Sequence, residues 1–231
     1  MAPTRDEERN TMARTWDDDR LQDLMRAERS ALADDLASLT ADQWRRTTLC
    51  GQWDVEEVVA HLTAAASMNQ WRWLRSMVGA RFRPDVHNER RLAEHRGRTP
   101  AETLERFRAI VASTTAPSGH TPAYLGEVVV HAQDIRHPLG LTTTPGVEAL
   151  TAVAEFYAAR DFAVASRTQV AGLELRADDG PFTAGVGAGN PVVTGSTLAL
   201  VMVMAGRTAY AVELDGSGAD VLRSRLDVVA R

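Results

Sequence analysis

Lysine is missing from this chain: all 26 basic residues among its 231 positions are arginine. Schiff-base chemistry on a lysine amine is thereby excluded. A single cysteine, Cys50, rules out a disulfide framework and any zinc site built from four cysteines, and it fits a reducing compartment. Basic charge is in deficit, with a formal net charge of −5, whereas nucleic-acid-binding surfaces are usually basic. Long apolar runs are absent too; the longest, 198–206, is far too short to span a bilayer. The charged opening from Thr4 to Asn10 has no signal-peptide pattern. These absences lead us to expect a cytoplasmic protein with neither membrane nor nucleic acid among its partners.

What is present is dense helix punctuation. Leu21, Leu24, Met25, Ala31, Leu32 and Leu36 recur at helical spacing, which predicts a first helix from about Asp17 to Leu39. Thr40 to Gln43 reads as a short capped turn. Asp54 followed by Glu57 is a capping-box pattern, with Trp53 and Val58 placed as a hydrophobic staple, so a second helix should run to about Val78. Thr99-Pro100-Ala-Glu102 starts a third helix. Thr121-Pro122 caps a fourth that stops at Gly140, and Thr144-Pro145 starts a fifth reaching about Ser166. Past Thr168 glycine becomes frequent and short β-type runs follow at 173–177, 182–186, 191–194 and 210–214. Helices capped by Ser196 and spanning 219–229 accompany them. The expected fold class is α+β: a four-helix bundle unit over residues 1–167 and a small α/β unit over 168–231, short enough to lean on the bundle.

The fourth helix carries the chemistry. Glu127 and His131 stand four residues apart on one face of a stretch otherwise rich in Leu125, Val128, Val129, Val130 and Ile135. Polar groups buried without partners are costly, and a divalent cation would take both as ligands. His61, in the apolar run 58–62 of the second helix, supplies a third. Three ligands leave one coordination position open, as in catalytic sites. The plainer alternatives are a core histidine at 61 and a Glu127–His131 pair bonded only to each other. Asp134 reads either as a group orienting a ligand or as half of a surface ion pair. His137 reads as a helix-end cation. The Arg-rich connection 79–98 offers His87 and His95 as spare ligands and arginines that could grip an anion. Cys50, before Gly51, reads as a partly buried loop thiol, with nucleophile or ligand as the sharper alternatives. Gly185 to Gly189 lacks the Lys-Ser/Thr of a phosphate loop and reads as a turn.

Leu49-Cys-Gly-Gln-Trp-Asp-Val55, followed by Val59-Ala-His61-Leu62, resembles the N-terminal signature of the mycothiol-dependent maleylpyruvate isomerase family. The stretch from Gly126 to Arg136 and Pro138-Leu-Gly140 resembles its second signature. Residues 173–216, with Ala205-Gly-Arg207 and Leu214-Asp-Gly216, look like its C-terminal domain. Cys-Gly-Gln-Trp departs from the family pattern, in which proline commonly precedes Gly-Trp. The resemblance implies a DinB-like bundle holding zinc or another divalent metal on His61, Glu127 and His131. It implies two substrate-side arginines, matched to Arg91 and Arg207. It also implies mycothiol, a low-molecular-weight thiol, as cosubstrate, adding to an unsaturated, anionic small molecule to give cis–trans isomerisation. Retention of the adduct would make the protein a mycothiol S-transferase. A non-catalytic metal- or small-ligand-binding protein is the alternative of another class.

Overall fold

The entry of each helix follows its capping chemistry. The structure, a computed structural model, describes residues 16–51, 53–67, 94–115 and 120–229. Helix α1 (Asp18–Ala37) buries Leu21, Met25, Leu32 and Leu36 at the predicted spacing. The turn after it closes reciprocally: Thr40 N donates to Gln43 Oε1 at 2.9 Å and Gln43 N to Thr40 Oγ1 at 3.3 Å. Helix α2 (Val55–Ser67) opens with the expected box, Asp54 N donating to Glu57 Oε2 at 3.0 Å and Glu57 N to Asp54 Oδ1 at 2.8 Å. Its predicted continuation toward Val78 lies outside the described residues, as do His87 and Arg91. Helix α3 (Pro100–Arg108) has proline in its first turn, and the Thr99 side chain accepts from Glu102 N.

Helix α4 (Thr121–Leu139) ends at Gly140, whose φ of +65° suits a residue without Cβ. Its N-cap is His120, not Thr121. The Thr121 hydroxyl instead donates to Asp18, tying α4 to the start of α1. Helix α1 packs on α3 and α4, and α2 on α3 and α4, which closes a four-helix arrangement. Polar ties reinforce it. Arg136 Nε donates to Asp35 Oδ2 at 2.7 Å between α4 and α1, and Thr103 Oγ1 donates to Glu56 Oε1 at 2.9 Å between α3 and α2. Arg96 Nε reaches the other Glu56 oxygen at 2.9 Å, pinning the incoming chain to α2.

Two further expectations need correction. The fifth helix does not continue to Ser166: α5 spans Val147–Ala159, and a non-helical stretch 160–165 leads into the short α6 (Ser166–Gln169). No Gly or Pro announces that break. Asp161 makes it by accepting from Thr168 N at 3.0 Å and Thr168 Oγ1 at 2.6 Å, a local competitor to the helix ladder. The expected strand over 210–214 is also wrong. Residues Thr208–Glu213 form a 3₁₀ helix, and pairing with the sheet there is a single bridge, Thr194 with Asp215. A short apolar run does not distinguish strand from helix. Strands β1 (Glu174–Ala177), β2 (Thr183–Ala184) and β3 (Val192–Gly195) form a sheet of order β2-β1-β3, antiparallel on one side of β1 and parallel on the other. Helix α7 (Thr197–Met204), capped by Ser196 onto Ala199 N, is buried along nearly its whole length and packs on α5. Helix α8 (Ala219–Val229) closes the described chain. Among the described residues no helix is long and apolar enough to cross a membrane. The α+β class expected from the sequence is the class observed.

Candidate metal centre

Helix α2 brings His61 and α4 brings Glu127 and His131 to one point. Glu127 Oε2 lies 3.3 Å from His61 Nε2 and 3.3 Å from His131 Nε2. The three ligand atoms lie within 4.8 Å of one another. Hydrogen bonds between charged groups are shorter, about 2.7–2.9 Å. A tetrahedral cation with bonds of about 2.0–2.2 Å sets its ligand atoms about 3.3–3.6 Å apart. The spacing is long for a direct hydrogen bond and has the separation a cation needs, and the donor set of two imidazoles and a carboxylate suits zinc or a similar divalent ion.

Behind His131 stands Asp134. Its Oδ2 accepts from His131 Nδ1 at 2.9 Å, which leaves Nε2 for the centre. Asp134 is fully buried and belongs to no surface ion pair. Arg207 grips it with two bonds, Nε to Oδ1 at 2.9 Å and an Nη to Oδ2 at 2.6 Å, while the other Nη donates to Ala205 O at 2.8 Å. The arginine expected on the substrate side is thus engaged as a clamp on the residue that aims His131, although it also borders the cavity.

Electrostatics follow the contacts. Burial pushes Glu127 toward its neutral form, but hydrogen bonds from His131 and His61 outweigh it and hold the carboxyl well below its usual range. Burial likewise disfavours imidazolium at His131, yet bonds to Asp134, Cys50 and Glu127 raise its pKa well above the ordinary value. Asp134 is lowered despite burial, by Arg207 and then His131. With both ring nitrogens facing carboxylates, the imidazolium form of His131 is favoured in the absence of a cation.

A cavity of about 220 Å³ opens over these groups, lined by Cys50, Trp53, His61, Glu127, Val130, His131, Tyr157, Ala163, Val164, Ala205 and Arg207. The loop before α2 sets two of these. Leu49 N donates to Asp134 O at 3.1 Å, Gly51 turns at φ +62°, and the Trp53 ring sits 5.1 Å from that of His61. Cys50 is half-buried as expected, but its thiol joins His131 and Asp134 in a group within 4.8 Å, which its position in sequence did not signal. Ala163 and Val164 reach the cavity because α5 breaks at 160. His95 and His137 do not border the cavity. The His137 ring lies 5.0 Å from that of Tyr210 at the end of α4. Tyr157, read from the sequence as part of an apolar helix face, was missed as a site residue. The available signal was Gly126, a glycine inside a helix, which marks a close approach.

Residues 25–124 match the family model described as the mycothiol maleylpyruvate isomerase N-terminal domain. That span contains His61; Glu127, His131 and Arg207 lie beyond it. A crystal structure of the mycothiol-dependent maleylpyruvate isomerase is similar at 20% identity, with a TM-score of 0.61, covering 88% of this chain and 94% of that one. A crystal structure of a histidine-to-alanine mutant of that isomerase is similar at 20% identity over the same shares, with a TM-score of 0.60. At this identity the likeness establishes the fold. No curated protein matches the sequence significantly.

Proposed function

We propose that this chain, whose residues 25–124 match the model of the mycothiol maleylpyruvate isomerase N-terminal domain, is a metal- and thiol-dependent isomerase of small unsaturated substrates. The observation that carries the reading is that Glu127 Oε2 lies 3.3 Å from both His61 Nε2 and His131 Nε2, under a cavity large enough for a small substrate. His61, Glu127 and His131 would hold the cation, which we take to be zinc. When bound, it supplies positive charge that favours the thiolate form of a nearby thiol.

The chain's own residues do the rest. Asp134 keeps the His131 Nδ1 proton and aims Nε2; Arg207 keeps Asp134 ionised and in place. Trp53, Val130, Ala163, Val164 and Ala205 give the cavity apolar walls that exclude water from the reacting atoms. The thiolate of mycothiol adds to the activated carbon–carbon double bond of the substrate. The bond becomes single and rotates, and elimination returns the thiol with the trans product. In this reading residues 168–231 act as a C-terminal unit that completes the site through Arg207. Arg91 remains our assignment for a second arginine on the substrate side.

The test is zinc analysis of wild type and His61→Ala, followed by assay of zinc-loaded wild type on maleylpyruvate with and without mycothiol. We expect one zinc per chain in wild type, far less in the variant, and mycothiol-dependent conversion to the trans isomer. Unchanged zinc in His61→Ala would remove His61 from the centre. Mass spectrometry separates returned thiol from a retained adduct, which would identify a thiol S-transferase.

A further inference from the structure

Tyr157 is 7% exposed and lines the cavity together with the three candidate ligands and Arg207. Among the described residues nothing accepts a hydrogen bond from its hydroxyl. A phenol in a protein interior normally finds an acceptor, and this one has only the cavity to find it in. The position is also built for it. A Cβ added to Gly126, the residue before Glu127, would lie 2.7 Å from Tyr157 Oη and 3.1 Å from Cζ. Helix α4 therefore lacks a side chain at the one place where α5 presses a phenol against it, next to the centre. A donor that faces the cavity beside a candidate reaction site, with no acceptor from the described residues, is preorganised for an acceptor that arrives with the ligand.

We propose that Tyr157 is a catalytic residue whose O–H donates a hydrogen bond to the carbonyl or carboxylate oxygen conjugated to the substrate's double bond. The assignment rests on the thiol-addition reading above. As the thiolate's lone pair forms the carbon–sulfur bond, the π pair moves onto that oxygen and gives an enolate. The phenol keeps its proton and stabilises the new charge. After rotation the electron pair returns, the carbon–sulfur bond breaks, and the thiolate leaves, so no proton is gained or lost. The ligand class this predicts is an α,β-unsaturated carbonyl or carboxylate compound small enough for the cavity. A simple alkene offers the phenol no acceptor.

The test uses full-length, zinc-loaded protein labelled with ¹³C at the tyrosine ζ carbon. The sequence has three tyrosines, so three resonances result, and the one lost in Tyr157→Phe is Tyr157. The probe is maleate, a cis-unsaturated dicarboxylate, added without thiol. We expect maleate to move the Tyr157 resonance and Tyr157→Phe to bind maleate more weakly with zinc content unchanged. With maleylpyruvate and mycothiol, Tyr157→Phe should lower kcat by about 10²-fold with little change in KM. Gly126→Ala keeps the phenol but pushes it away, and it should lower kcat similarly. No binding of maleate, an unmoved resonance, or wild-type kcat in an active Tyr157→Phe protein overturns the assignment. A wild type in which maleate moves the resonance but no isomerisation occurs defeats the isomerase reading and leaves the phenol in the ligand site.

Discussion

At the scale of single residues, the site is a chain of hydrogen bonds running from Arg207 through Asp134 to His131. Replacing Asp134 by Asn removes the charge that fixes the His131 tautomer. Zinc affinity should fall about 10–100-fold, read by competition with a chelator. Arg207→Ala leaves the buried Asp134 carboxylate with His131 Nδ1 as its remaining side-chain partner, so stability in urea unfolding should drop by about 1.5–3 kcal/mol. A loss below about 1 kcal/mol would mean the clamp is not formed in solution. The raised pKa of His131 sets a pH dependence. Its imidazolium stabilises the zinc-free protein below the ordinary imidazole value of about 6.5, and that contribution is lost as pH rises through the raised folded value. Zinc needs the same nitrogen unprotonated. Zinc affinity should therefore climb with pH across that window, with about one proton released per zinc at pH 7. Calorimetry in two buffers of different ionisation enthalpy measures it; no release at pH 7 would show His131 already neutral.

At the scale of elements, α2 depends on its first turn to deliver His61. Asp54→Ala removes the cap from Glu57 N and should cost about 1 kcal/mol in unfolding free energy, with zinc stoichiometry retained. Loss of zinc would make the cap part of the centre. The elements that carry their own punctuation were legible in the sequence. Asp54 and Glu57, Thr99 and Pro100, Ser196 and Gly140 each mark a boundary within a few residues of the position they control. Glu127 and His131 were legible because helical periodicity alone puts them on one face. The break at Arg160 was not, because Asp161 acts through Thr168, seven residues on, and no Gly or Pro flags it. Nor was the 3₁₀ helix at Thr208–Glu213, where Tyr210 points its hydroxyl at Gln133 Oε1, a partner on α4 that local sequence cannot name. Cys50 and Tyr157 entered the cavity for the same reason: their neighbours come from other elements.

At the scale of the whole molecule, one hydrophobic core runs from Leu21 in α1 through Phe107 and Leu150 to Leu226 in α8. Buried α7 packs on α5, so the sheet-bearing part and the bundle share their interior. Calorimetric unfolding of the zinc-free chain should give a single transition whose calorimetric and van't Hoff enthalpies agree. Two resolved transitions would refute a shared core. The double grip on Asp134 has a thermodynamic corollary. An imidazole from the bundle and a guanidinium from beyond residue 200 both donate to Asp134 Oδ2, and the guanidinium also to Oδ1; each steadies the carboxylate for the other. Reciprocity then requires that whatever free energy ion loading adds to the anchoring of the C-terminal segment, that anchoring returns in full as tighter ion retention.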